Sequence, residues 1–273
     1  MLWPLCLMFL FQTNIGIANP IIPDLPPDNP NIQNRFKPPS DFNRTLAKEN
    51  SFAHYLRNLK LKPDGSKVLL YDSREKQNYG VYLAVVDLPI GSKNLHQCAD
   101  AVIRLRAEYL FFQKKYSKIT FHFTNGFAAD YTKWMQGNRI VVSGNTCKWE
   151  KRTNPSNNYE TFWKYLETVF SYAGTLSLSK ELTKREWEKM EIGDVLIQGG
   201  SPGHAVIVVD MVINPKTGEK QFMLAQSYMP AQEIQILTNQ EKPAQPWYTL
   251  SSFGKIKTPE WNFSTVDLKC FND

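Results

Sequence analysis

A glycine-punctuated, β-branched stretch from Gly193 to Tyr228 narrows the architectures open to this chain. It runs Gly-Asp-Val-Leu-Ile-Gln-Gly-Gly-Ser-Pro-Gly-His-Ala-Val-Ile-Val-Val-Asp and ends on Phe-Met-Leu-Ala-Gln-Ser-Tyr. Residues 195–197 predict a strand, and residues 199–203 a turn that glycine-rich backbone makes easily. Residues 205–213 form a β-branched run long enough for a central strand. His204 stands where the turn enters that strand. Beyond Asn214-Pro-Lys-Thr-Gly218, residues 220–227 predict a third strand, with Gln226 set among apolar neighbours. If the hairpin turns near Lys216, Gln226 falls opposite about Val206 and shares a face with His204. A one-residue shift of that turn would separate them.

Imidazole and amide on neighbouring strands lack a nucleophile, and the search for one leads to Cys98. Leu95, Val102, Leu105, Tyr109, Phe112 and Tyr116 recur at helical spacing and predict a buried stripe. Asn94 and Gln97 fit an N-cap pair. Cys98 then lies in the first helical turn, facing inward with Val102 and Leu105. Asp100, Arg104 and Arg106 read as a solvated face with local ion pairs. A thiol is nucleophilic as thiolate, and a helix N-terminus and a nearby imidazolium both lower its pKa. Cys98 as nucleophile, His204 as base and Gln226 as the group orienting the imidazole would form a working triad. The residues alone leave open an inert core thiol at Cys98, or a disulfide from it to Cys147 or Cys270. They also leave open purely structural roles for His204 and Gln226.

The remaining segments frame this centre. Residues 2–11 are almost wholly apolar, and Gly16-Ile17-Ala18 offers a small-x-small cleavage site, so residues 1–18 predict a signal peptide. The apolar run is too short for a membrane span, and no stable span is expected in the mature chain. Residues 19–40 hold seven prolines and predict a linker or surface arm, leaving 41–273 as a single domain. Helices are expected near 51–59, 125–136 and 158–172, and a Thr183/Glu186 capping box suggests another after 183. Strands are expected over 67–71, 81–88, 119–123, 139–143 and 233–237. Segregated helices and a meandering antiparallel sheet make the fold class α+β.

Composition excludes several functions. A formal net charge of +6 with no basic block gives no case for nucleic acid, though it tolerates an anionic partner. No Cys-x-x-Cys or His-x-x-x-His spacing occurs, so neither a metal site nor a cofactor is expected.

The helix-borne Cys98, the Gly193-Asp194-Val195 strand start, the glycine turn, His204 with Ile207-Val208, and a polar residue on the next strand resemble the papain-like NlpC and CHAP families of cell-wall hydrolases. That resemblance implies a papain-like arrangement, a helix-borne Cys packed on an antiparallel sheet. It also implies an exported thiol amidohydrolase or peptidase, periplasmic or in the cell envelope. Its substrate class would be peptidoglycan-type amide bonds, its partner a cell-wall peptide or glycan. The alternative is a non-catalytic envelope binding protein of the same fold, and a serine hydrolase is a more weakly supported third class. The chain as a whole is also similar to a family of uncharacterised exported bacterial proteins known only as a domain of unknown function. If the leader reading holds, N-terminal sequencing of protein from a native host should start at or near Asn19. Intact Met1 on soluble cytoplasmic material would overturn it.

Overall fold

The computed structural model describes residues 30–250 and 254–272, so the expected leader and half of the arm lie outside the described residues. The arm's last part is not loose: Ile32, in the short helix Ile32–Arg35, is fully buried in the main core, ahead of the boundary at 41 read from composition. No helix among the described residues is long and apolar enough to cross a membrane.

The observed class is α+β, built on a nine-stranded sheet whose pairings are all antiparallel. Its main path runs Tyr82–Val85, Gln235–Leu237, Lys220–Gln226, His204–Ile213, Val195–Gln198, Leu268–Cys270 and Thr183–Lys184. Asn43–Arg44 pairs with the far end of the His204 strand, and Tyr248–Thr249 with the Lys220 strand. The expected hairpin forms from the β-branched runs, as periodicity suggests. Lys220 pairs with Ile213, and the register holds to Met223 and Asp210. There it shifts by one: Leu224 pairs with Val208 and Ala225 with Ile207, so Val209 is an extra residue, a β-bulge.

The sheet separates two cores. On one face Ala205, Ile207 and Val209 pack with the helices Phe52–Arg57, Cys98–Phe112 and Tyr159–Tyr172. On the other, Val206, Val208, Leu224 and Phe222 pack with Trp187, Tyr248, Ile256 and Phe263. That double coverage explains why the His204 strand is apolar without alternation.

Several local expectations are corrected. The Cys98 helix is buried from Cys98 to Leu110, so Asp100, Arg104 and Arg106 are not a solvated face. Sheet and helices enclose it on all sides, and its charges find internal partners. Arg104 meets Glu108 at 3.3 Å and lies over the Trp163 ring at 4.7 Å, while Arg106 lies 5.1 Å from both the Phe52 and Phe271 rings. Residues 125–136 make the return strand Ala128–Asp130 of a hairpin, then the short helix Tyr131–Met135. Thr183 opens an edge strand, and the helix lies before it, at Thr175–Glu181. Residues 67–71 supply only isolated bridges. Asn158 does cap Tyr159–Tyr172, its side chain accepting from Thr161 N.

An ionic junction fastens the N-terminal segment to the bulge. Asp210, fully buried, accepts from Arg44 Nε at 2.8 Å and from Arg57 Nε at 2.7 Å. Removing the carboxylate would strand a buried guanidinium, so Asp210→Ala should cost about 3–5 kcal/mol in urea unfolding. A loss below about 1 kcal/mol, the range of a surface pair, would show that the junction is dispensable.

Candidate functional site

Cys98 is the first residue of its helix, and Gln97, not Asn94, is the N-cap. Asp100, in the first turn, accepts from Gln97 N at 3.0 Å. Asn94 is occupied elsewhere, accepting from Ala231 N at 2.8 Å. The helix covers the Ala205 face of the sheet, and its N-terminus ends where the His204 strand begins. Backbone N–H groups of Ala99, Ala205 and Cys98 lie near enough to the sulfur to favour its thiolate, an effect smaller than that of burial. Among the described residues Cys98, Cys147 and Cys270 are all free.

His204 and Gln226 share the opposite face, brought there by the bulge at Val209 and not by the plain hairpin register expected. His204 Nε2 lies 2.8 Å from Gln226 Oε1. Around the imidazole stand the rings of Tyr228, Trp261 and Phe263, with centroids 5.0, 5.4 and 6.0 Å away. Cys98 and His204 line one cavity of about 720 Å³, a volume that suits a small organic ligand or a few residues of chain. The glycine turn forms one wall. A Cβ at Gly199 or Gly203 would collide with Ser179 or Thr175 of the neighbouring helix, so the turn needs glycine there for close approach.

Further residues belong to the site and escaped the sequence argument. Gln226 Nε2 donates to Glu260 Oε2 at 2.6 Å, and Lys76 Nζ meets the same oxygen at 2.7 Å. Lys76 also lies 5.3 Å from the Tyr228 ring centroid. Trp261 Nε1 donates to Gln198 Oε1 at 3.0 Å, which pins its indole beside His204. Lys76 and Glu260 line a second cavity of about 760 Å³, separated from the first by the shared Tyr228 and Met229. One signal could have found Glu260: a buried amide bonded to His204 at one end must be satisfied at the other.

Electrostatics departs from expectation. Burial, with the Asp100 carboxyl adding to it, pushes the Cys98 thiol up to about 11. Burial pushes His204 down to about 4, against the opposing Gln226 hydrogen bond. The resting pair is therefore thiol and neutral imidazole, not the thiolate that helix position and imidazolium were expected to produce. Burial also holds Asp100 up at about 8, and its Oδ1 has no hydrogen-bond partner. His96 sits apart, its Nδ1 3.2 Å from Gln232 O and its pKa pushed by burial to about 3.

Gly199-Gly200-Ser201-Pro202-Gly203 also spells the serine-hydrolase pattern Gly-x-Ser-x-Gly. Here it links two antiparallel strands, whereas the serine elbow joins a strand to a helix. Among the described residues no three His, Cys, Asp or Glu side chains converge as a metal site.

The family model for a domain of unknown function (4846) matches residues 32–270, and the chain belongs to that family. No curated protein and no solved structure matches it.

Asp100→Asn should act in two ways. Removing a carboxylate beside the thiol favours the thiolate, so the alkylation midpoint of Cys98 should fall from about 11 by up to about one unit. Asp100 ionises near 3.9 in an unfolded chain but only near 8 in the fold. Stability from this group is thus present below about 4 and lost as pH rises through 8. Asp100→Asn should flatten that decline in the unfolding midpoint. An unmoved alkylation profile, read by peptide mapping with iodoacetamide, would show that Asp100 does not reach Cys98.

Proposed function

We propose that this protein is an exported, papain-like thiol amidohydrolase or peptidase acting on peptidoglycan-type amide bonds. The observation that carries the reading is the His204–Gln226 bond at 2.8 Å on a cavity that Cys98 also lines. Cys98 would attack the carbonyl carbon while His204 takes the thiol proton. The C–N bond then breaks, the proton passes to the leaving amine, and the remaining thioester is hydrolysed by water with His204 again as base. Backbone N–H groups of Cys98 and Ala99 open the helix, where no intrahelical acceptor awaits them, and suit a developing oxyanion. A neutral imidazole is the form a general base needs. Proton transfer would accompany attack instead of preceding it. Export and the cell-wall substrate class rest on residues 1–18 and on the resemblance carried most specifically by Gly193–Val209.

A second reading is a binding protein with the same cleft. What favours it is the burial that holds the thiol up and the imidazole down.

The two part on one experiment. Purified peptidoglycan and its soluble fragments are incubated with the protein, and newly released amino groups are counted. The hydrolase should release them, with Cys98→Ala and His204→Ala each losing at least about 10²-fold and Gln226→Ala less. A wild-type protein that releases nothing, yet binds fragments as well as Cys98→Ala does, is the binding module.

A further inference from the structure

Gln226 has two chemically different ends, and its neighbours decide which one His204 meets. One end lies 2.6 Å from Glu260 Oε2, the other 2.8 Å from His204 Nε2. Amide oxygen and nitrogen are told apart by what their partners can do. Glu260 is ion-paired to Lys76 at 2.7 Å, the two side chains 11% and 6% exposed. A carboxylate in an ion pair accepts and has no proton to give, so it must face the amide NH2. The amide oxygen is then left for His204, and it too can only accept. In a neutral imidazole, Nε2 must therefore carry the hydrogen and Nδ1 the lone pair. Burial holds His204 in that neutral form.

We infer that Glu260, anchored by Lys76, is a positioning residue that fixes His204 as the Nε2–H tautomer and so makes Nδ1 the basic nitrogen. Neither residue reaches the reacting atoms; both act through Gln226. Without Lys76 the Glu260 carboxylate loses the partner that holds it against Gln226, so the amide can turn over and the imidazole hydrogen can move to Nδ1. Lys76 guards the arrangement from a second side, through the Tyr228 ring packed on His204. The catalytic meaning of this assignment rests on the thiol-hydrolase reading, whereas the tautomer itself does not.

Nitrogen chemical shifts of the imidazole test it directly on the whole chain labelled with 15N-histidine at pH 7. The His204 signals are assigned by their loss in His204→Ala, since the chain has four histidines. Wild type should show Nε2 protonated and Nδ1 with a lone-pair shift. Glu260→Gln presents either amide end to Gln226 and should give a mixture of both tautomers, while Glu260→Asp should restore one. Lys76→Met tests the anchor without touching the carboxylate and stands in if Glu260→Gln does not fold; it should also give the mixture. Wild type with Nδ1–H, or folded Glu260→Gln and Lys76→Met that both keep the pure Nε2–H pattern, would overturn the assignment. If wild type cleaves amides, Glu260→Gln should lower kcat by roughly 10-fold or more at similar KM, with Glu260→Asp recovering most of it. A protein inert to every amide but with the wild-type tautomer pattern would end the hydrolase reading and leave this one standing.

Discussion

One unpaired residue, Val209, decides what the cleft contains. Pairing from Ile213 to Asp210 would, if continued, set Gln226 opposite Ile207 and turn His204 to the other face of the sheet. The bulge retards the strand by one residue, so that beyond Ala225–Ile207 Gln226 comes level with Val206 and joins His204's face. Everything on that face follows: the bond to His204, the reach of Glu260, and the aromatic rings around the imidazole. Asp210, next to the bulge, is clamped by two arginines from the N-terminal segment. A distant ionic contact thus lies beside the irregularity on which the site's register depends.

The division of labour between the faces has a physical logic. Cys98 belongs to a helix buried all round, and its sulfur meets the His204 strand only at that strand's first residues. His204 and Gln226 belong to the other core, where aromatic rings exclude water. Such a site keeps its thiol protonated at rest, and thiols are far slower than thiolates to be oxidised or alkylated. A ligand that enters the cavity would have to supply the stabilisation of charge on the sulfur that the protein withholds.

Much of this was legible from local pattern. Glycine spacing and β-branched runs located the His204 and Gln226 strands, and helical periodicity put Cys98 in a first turn. These signals survive because they are written within one element. What failed was non-local. Asp100, Arg104 and Arg106 look like a wet face until the fold closes over them, Trp163 on Arg104 and the Phe52 and Phe271 rings on Arg106. Thr183 and Glu186 make a capping pair, but Thr183 is claimed by pairing with Cys270 at a sheet edge. Glu260 and Lys76 carry no periodic signal, since a loop and a tail meet there only after the sheet has formed.

The strand Leu268–Cys270 lies inside the sheet path, between Val195–Gln198 and Thr183–Lys184. Its hairpin neighbour, Lys255–Lys257 with Asn262–Ser264, carries Glu260 and Trp261 in its turn region. These segments complete an edge begun at Thr183–Lys184, with seven strands of sequence between. Contacts so distant in sequence carry a high loop-closure cost and form late. The nascent chain therefore has Cys98, His204 and Gln226 in hand well before the carboxylate and indole that hold the imidazole in place.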